Sequence, residues 1–211
     1  MEHKESRLVA RKWGDSVAWE HALVEKRRHP QQDVGFGLYA ASASGDDSGV
    51  VIPAGEVVYR VVARSHAIAN GKAASRGSLQ MGSDVHVNSE GWTWAFLNHS
   101  CAPNVRLLSV TTARDSDDGA ATEVDFTLVA LKNIGADEEL TFNYLSTEEA
   151  MAAPFACACG SAACFRTIRG LAHADTSDEA RLRDLECVVA PHLANLLEAK
   201  VQQASAKSVN L

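Results

Sequence analysis

The sequence predicts a mainly β fold with helices confined to its periphery. Through the middle of the chain, short apolar runs of strand length alternate with stretches rich in glycine, serine and aspartate. Helical patterns occur only near the two ends. The chain has 211 residues and is 46% hydrophobic, which is enough to build one large core. We therefore expect one main domain with terminal appendages.

The first predicted element is a helix near the amino terminus. Residues 16–27 place Trp19 and Leu23 on one face of an amphipathic pattern. Residues 1–29 are accordingly predicted to form an N-terminal helical segment.

Strands are predicted in the central part of the chain. Residues 33–41 predict a strand pair interrupted by glycine, and residues 55–63 predict an apolar strand. Residues 105–110 and 124–131 predict two strands that face each other.

Two polar stretches separate the predicted strands, at residues 42–49 and 114–123. Both combine glycine, serine and aspartate in the proportions typical of solvent-exposed loops. We expect them to form hairpin tips.

The carboxyl-terminal residues 172–211 are predicted to form a helical tail. Pro191 should kink or split its helix. The apolar stripe of this tail either packs on the domain or binds a partner, and packing within the chain is the usual outcome. Side chains of the stripe recur at helical intervals, at Leu182, Leu185, Val189, Leu193 and Leu196.

Charge and hydropathy exclude several classes of function. A net charge of -7 argues against direct nucleic-acid binding and favours a basic partner. The sequence has no apolar run long enough to span a bilayer and no signal-peptide pattern at its start, so we expect no membrane association and an intracellular location, nuclear or cytoplasmic.

The five cysteines are grouped as metal ligands are. Cys157, Cys159 and Cys164 form a C-x-C-x4-C segment that can supply three zinc ligands from one loop, and Cys101 is the candidate for the fourth. The alternative is reduced, buried cysteines in two unrelated turns. Cys187 lies on an apolar face of the predicted helix and is expected in the core, not among the metal ligands.

A polar cluster, "NHSC" at residues 98–101, lies between two apolar stretches. Three interpretations of such a cluster are open. It can be half of a metal site, a nucleophile with its base, or a buried turn whose polar groups hydrogen-bond to one another. Ser100 as a hydrolytic nucleophile lacks the surrounding G-x-S-x-G pattern.

Four motifs in order resemble the SET-domain lysine methyltransferases with a post-SET zinc segment. They are "GFG" (35–37), "FLNHSCAPNV" (96–105), "EELTFNY" (138–144) and "CACGSAAC" (157–164). The resemblance covers residues 30–171, with a SET domain at 30–148 and a post-SET segment at 149–171. It implies a pseudoknotted β-fold of the β-clip type, in which the Asn-His segment passes beside the "EELTFNY" segment.

The same resemblance implies two cofactors and a set of site residues. S-adenosyl-L-methionine would contact Gly35, Phe36, Gly37, Asn98 and His99, a structural zinc ion would bind Cys101, Cys157, Cys159 and Cys164, and Tyr144 would be catalytic. The residues alone leave alternatives open: "GFG" also suits a β-bulge or turn, His99 suits a satisfied buried histidine, and Tyr144 suits a core aromatic.

Methyl transfer from a sulfonium to an amine is an in-line displacement that mainly requires alignment of two reactants and exclusion of water. A lysine amine next to a sulfonium in a desolvated channel loses its proton readily, so a phenol at Tyr144 need only orient it. The implied partner is a protein or peptide substrate carrying lysine, with a basic histone tail among the candidates.

Several positions depart from the family pattern. Asn143 replaces a frequent aspartate, Asp137 a turn glycine, and Ala95 stands in a segment that often carries a basic residue.

Residues 78–94 contain no tyrosine that could serve as a second active-site phenol. Trp92, Trp94 or His86 are the candidates to line the lysine channel instead. The alternative function is therefore a catalytically weak SET-like zinc module that acts in protein–protein interaction.

Overall fold

The computed structural model describes residues 8–31, 34–42, 49–64, 67–71, 74–177 and 179–208, and strands dominate these ranges. The strands are β1 (Leu8–Trp13), β2 (Ser16–His21), β3 (Val24–Arg28), β4 (Phe36–Ala40), β5 (Val50–Ile52), β6 (Val57–Arg64), β7 (Ile68–Asn70), β8 (Ser78–Gly82), β9 (Val85–Asn88), β10 (Asn98–His99), β11 (Val105–Arg114), β12 (Ala121–Ala130), β13 (Ile134–Gly135), β14 (Glu139–Phe142), β15 (Phe155–Ala156) and β16 (Thr167–Ile168).

The helices are short, apart from one at the carboxyl-terminal end. The α-helices are α1 (Glu179–Arg183) and α2 (Ala194–Ser208). Single 3₁₀ turns lie at Thr93–Phe96, Tyr144–Ser146, Leu171–His173 and Pro191–Leu193. The predicted class, mainly β with peripheral helices and a helical tail, is confirmed.

The largest sheet has the order β1-β2-β6-β12-β11 and is antiparallel throughout. Strand β12 lies beside β6 and β11, and its alternating burial places Val124, Phe126 and Leu128 in the core. The predicted pairing of residues 105–110 with 124–131 is confirmed, and the turn between β11 and β12 is the predicted hairpin tip within 114–123. The other predicted tip, 42–49, falls mostly on residues 43–48, outside the described ranges.

A second sheet, β10-β14-β4-β3, contains residues of three of the motifs, "GFG", "FLNHSCAPNV" and "EELTFNY". Residues 33–41 do not form a strand pair as predicted, because they contain the single strand β4, whose partners are β3 and β14. Gly37 lies within β4 and pairs with Arg27 of β3, so it does not interrupt the strand. A glycine is needed there because the side chains of Glu139 and Asn98 approach its backbone closely.

The predicted N-terminal helix is wrong. Residues 16–27 form β2 and the start of β3, joined by a turn. In β2 burial alternates from Ser16 to Glu20, and the strand bonds to β1 on one side and β6 on the other. The four-residue spacing of Trp19 and Leu23 fits a helix, but two neighbouring strands offer this segment more hydrogen bonds and burial. The described part of residues 1–29 is therefore β-structure.

The tail packs against the domain, as predicted. It forms a second core with the cysteine loop, separate from the main core between the sheets. A 3₁₀ turn begins at Pro191, which separates α1 from α2. Cys187 was predicted to be buried but is exposed, since it lies in a turn after α1 ends at Arg183. The tail side chains in the second core are Leu182, Leu185, Val188, Leu193, Leu197, Val201 and Ala204.

In the described part of the chain, none of the helices combines the length and the hydropathy needed to cross a membrane.

Candidate functional site

The site forms where two distant chain segments run side by side. Strand β10 pairs in parallel with β14, with Asn98 opposite Thr141 and His99 opposite Phe142. Just beyond β10, the Ser100 N–H donates to the Phe142 carbonyl at 3.0 Å. This is the juxtaposition that the family resemblance implies, and it brings the "NHSC" cluster to the end of the "EELTFNY" segment.

Asn98 joins this pair to the "GFG" strand. Its Nδ2 donates to the Phe36 carbonyl at 3.0 Å and to Glu139 Oε1 at 2.8 Å. A Cβ added at Gly37 would lie 2.4 Å from that Glu139 oxygen and 3.1 Å from Asn98 Nδ2. Glycine is therefore required at this position by close approach, and a turn or bulge does not account for it.

Gly35 has a different role from Gly37. Its φ is +85°, in the region that favours glycine, and an added Cβ would meet nothing within 4 Å. The Cα of Gly35 is thus open on the side where a Cβ would lie, although its carbonyl accepts from the His29 N–H at 2.9 Å, and the neighbouring Phe36 side chain is 38% exposed.

His99 is held by two hydrogen bonds. Its Nδ1 accepts from the Tyr144 N–H at 3.1 Å, and its Nε2 lies 3.3 Å from Cys101 Sγ. With Nδ1 as acceptor, Nε2 carries the proton and donates to the sulfur. Burial lowers the pKa of His99 to about 4, so the ring is neutral near pH 7. The side chain is thus a partly buried histidine with both ring nitrogens hydrogen-bonded, and it connects the cysteine cluster to Tyr144.

Tyr144 lies in the 3₁₀ turn that follows β14, at the junction of the two cores. Its hydroxyl donates to the Leu97 carbonyl at 2.9 Å. Burial, with smaller contributions from the carboxylates of Glu148 and Glu139, raises the pKa of this phenol, which therefore remains protonated near pH 7. Because the proton points at Leu97, the oxygen lone pairs remain to accept a hydrogen bond from another group.

Asn143 holds the 3₁₀ turn in place. Its side chain is buried, and its Oδ1 accepts from the Leu145 N–H at 3.0 Å. An aspartate would accept the same bond but would bury a charge. The asparagine therefore preserves the geometry that positions Tyr144.

The four predicted metal ligands come together. The Sγ atoms of Cys101, Cys157, Cys159 and Cys164 all lie within 4.8 Å of one another. Tetrahedral zinc with Zn–S bonds of about 2.3 Å requires sulfur atoms about 3.8 Å apart, so a small contraction closes the site. Two unrelated turns do not explain this convergence.

Backbone donors around the sulfurs suit thiolates. The Phe165 N–H donates to Cys101 Sγ at 3.4 Å, and the Arg166 N–H donates to Cys164 Sγ at 3.3 Å. Strands β15 and β16 close the loop, and within it Gly160 adopts a φ of +72°. The loop therefore fits a closed structural zinc site with ligands of the Cys₄ type.

The cluster does not form a hydrolase site. Ser100 Oγ accepts from the Ala102 N–H at 3.1 Å, which is a local turn. Both ring nitrogens of the adjacent His99 have other partners, so neither is available to take a proton from Ser100.

The fold brings two acids to the site that the sequence patterns did not indicate as site residues. Glu139 contacts Asn98, as described above, and also lies 3.3 Å from His29 Nε2. Glu148 is buried, and its Oε1 accepts from the Gln80 N–H at 2.8 Å. Burial raises the pKa of Glu148 to about 7. Glu139 lies within the "EELTFNY" motif and Glu148 follows it, but no local pattern indicates their contacts with Asn98 and Gln80, because both contacts join distant segments.

The residues proposed to replace a second tyrosine are buried. Trp94 packs edge-on against Phe126, and Trp92 packs edge-on against Trp13. His86 is 2% exposed, with its Nδ1 3.4 Å from Ser78 Oγ. Trp92 and Trp94 therefore contribute to the main core, and their lining a channel remains a prediction.

Comparison with known proteins identifies a similar family and similar folds. The SET domain family matches residues 35–145. Methyltransferase flvH of Aspergillus flavus is 29% identical over 171 residues, which are 81% of this chain and 82% of flvH. Among solved structures, KRYPTONITE in complex with mCHG DNA and SAH has 21% identity and a TM-score of 0.49, over 68% of this chain and 28% of that one. The methyltransferase domain of human histone-lysine N-methyltransferase SETMAR has 18% identity and a TM-score of 0.46, over 69% of this chain and 58% of that one.

Proposed function

Because this chain belongs to the SET-domain family, we propose that it transfers a methyl group from S-adenosyl-L-methionine to a lysine side chain of a protein substrate. The observation that carries this proposal is the parallel pairing of β10 with β14. Beside this pairing, the Asn98 amide contacts the Phe36 carbonyl of "GFG", and the Tyr144 hydroxyl contacts the carbonyl of Leu97, the residue before Asn98.

The residues near Gly35 fit the proposed cofactor. The space beside the Cα of Gly35 is open, and the Asn98 amide donates to the Phe36 carbonyl. An amino-acid group with both donors and acceptors can bond to a carbonyl oxygen and an amide side chain at such a place. S-adenosyl-L-methionine would supply an electrophilic methyl group, and the protein would supply alignment.

Tyr144 is the proposed catalytic residue. Its raised pKa excludes a phenolate base near pH 7. Its hydroxyl proton is engaged by Leu97, so the oxygen can accept a hydrogen bond from the neutral substrate amine and hold the nitrogen lone pair toward the methyl group. The amine loses its own proton to water before this arrangement forms.

The zinc site has a positioning role in this proposal. Cys101 is three residues after Asn98, and its sulfur contacts His99, which in turn bonds to the backbone of Tyr144. Metal binding by the four cysteines would therefore fix the turn that carries the cofactor contacts and the catalytic phenol.

The substrate is proposed to be a basic protein segment. The net charge of -7 favours such a partner, and histone tails belong to this chemical class. Incubating zinc-loaded protein with methyl-labelled S-adenosyl-L-methionine and a panel of basic proteins tests the proposal. Label on lysine is the expected result, and cofactor binding with no transfer to any protein would favour the alternative, a catalytically weak interaction module.

A further inference from the structure

Lys26 lies in an unusual position beside the proposed cofactor site. Its Nζ is 4.2 Å from the ring centroid of Phe96 and 4.7 Å from that of Phe36. The two rings meet edge to face, with centroids 5.9 Å apart. Cations are attracted to ring faces at these distances, so the two aromatic side chains hold the ammonium in place.

Within the described residues, the charge of Lys26 has no acidic partner. Among the ion pairs of the described residues, none includes Lys26. Its neighbour Arg27, by contrast, is paired with both Glu25 and Asp137. An exposed cation that rests on two rings and lacks a carboxylate partner is available to bind an anion.

The rings that hold Lys26 belong to the two segments of the site. Phe36 is the central residue of "GFG", and its carbonyl accepts from Asn98. Phe96 is two residues before Asn98, and the segment leading to it, Trp94 and Ala95, contains no cation. Lys26 itself precedes residue 35, where the match to the SET domain begins. The cation therefore comes from outside the matched domain.

Exposed apolar side chains flank Gly35, and one of them is the Phe36 ring that contacts this cation. Phe36 is 38% exposed and Val34 is 40% exposed, on either side of Gly35. A ligand that combines apolar atoms with one anionic group fits such a surface better than a free inorganic ion does.

We propose that Lys26 binds the carboxylate at the amino-acid end of the cofactor. The inference rests on the proposed function. The carboxylate is the single anionic group of S-adenosyl-L-methionine, and S-adenosyl-L-homocysteine has the same group. 5′-Methylthioadenosine keeps the nucleoside and the sulfur but lacks the amino-acid end, so it cannot make this contact.

Calorimetry with these two ligands tests the assignment on the zinc-loaded full chain. Lys26→Met removes the charge and keeps an unbranched apolar stem. It should weaken binding of S-adenosyl-L-homocysteine about tenfold or more, the equivalent of about 1.4 kcal/mol, and change binding of 5′-methylthioadenosine less than about twofold. Lys26→Arg should restore most of the lost affinity, because it restores the charge.

Matched controls separate this contact from general effects. Lys12→Met removes an exposed cation from β1 and should leave both affinities unchanged. Arg28→Met removes a guanidinium that lies 5.4 Å from the Phe36 centroid and does not contact Phe96, so its effect should be smaller than that of Lys26→Met. Zinc content and melting temperature of each variant verify the fold.

The outcomes are distinguishable. Equal weakening of both ligands by Lys26→Met would mean that Lys26 acts through packing, and no weakening of either would mean that it lies away from the ligand; both results overturn the assignment. A larger effect of Arg28→Met would transfer the role to Arg28. If the unmodified protein binds neither ligand, the proposed function fails, and this inference fails with it.

Discussion

Replacing Glu148 by glutamine should stabilise the protein at alkaline pH. The carboxyl is buried, and burial raises its pKa from 4.5 to about 7. A folded-state pKa above the unfolded value means that the folded protein retains a proton in a pH range where the unfolded chain has released it. Stability contributed by this group is therefore complete below pH 4.5 and is lost as the pH rises through 7.

The magnitude follows from the difference between the two pKa values. Each unit corresponds to 1.36 kcal/mol, so ionising Glu148 costs the folded state at most about 3 kcal/mol above pH 7. A glutamine side chain keeps the carbonyl oxygen that accepts from the Gln80 N–H and carries no charge. Glu148→Gln should therefore match the wild type near pH 5 and exceed it by about 2–3 kcal/mol at pH 8.

Denaturant unfolding of zinc-loaded protein at several pH values between 5 and 8 measures this difference. Burial also lowers the pKa of His86 and His192, so each single curve contains other titrations, and only the difference between the two proteins isolates Glu148. Glu90→Gln, at an exposed position, is the matched control and should show no such trend. A Glu148→Gln protein that is less stable than the wild type at pH 8, or a difference independent of pH, would refute the reasoning.

Three further changes test the other parts of the site. Metal analysis should find about one zinc per chain, and replacing Cys159 and Cys164 together by serine should abolish binding; unchanged zinc content would remove these ligands. Asn98→Ala should weaken binding of S-adenosyl-L-methionine by about 1–3 kcal/mol in calorimetry, because a buried group of the cofactor would lose the Asn98 amide as its hydrogen-bond partner; unaltered affinity would place the cofactor elsewhere. Gly170→Ala should lower the free energy of unfolding by about 1–3 kcal/mol, because φ is +99° and the new Cβ would lie 2.5 Å from backbone atoms of Glu149 and Ala150; a stability equal to the wild type would contradict the close packing there.

Strands with a strong local pattern could be predicted from the sequence. Residues 124–131 alternate apolar and polar side chains before they become uniformly apolar, which is typical of a strand that enters the core. The C-x-C-x4-C spacing likewise predicts a metal loop, because the ligands are local and the fourth is a single cysteine elsewhere. Asp137 stands where the family pattern has a turn glycine, and its φ of +61° lies in the left-handed region that aspartate adopts more readily than most side chains.

Features that depend on long-range pairing could not be predicted in the same way. Trp19 and Leu23 have a helical spacing, and only the hydrogen bonds that β1 and β6 offer make residues 16–21 a strand. Glu139 and Lys26 belong to strands on either side of β4, and their contacts with the site follow from sheet order, which local pattern does not determine. The exposed position of Cys187 follows from the early end of α1, where the apolar spacing had indicated a longer helix.

The rate of methyl transfer by Tyr144→Phe tests the central proposal most directly. This change removes one hydroxyl and its bond to the Leu97 carbonyl and retains the ring that packs between the two cores. If the phenol aligns the amine in the transition state, the turnover rate should fall about tenfold or more, since each 1.36 kcal/mol corresponds to a factor of ten, whereas zinc content and cofactor affinity should change little. A folded, zinc-loaded Tyr144→Phe protein that methylates lysine at nearly the wild-type rate would contradict the account.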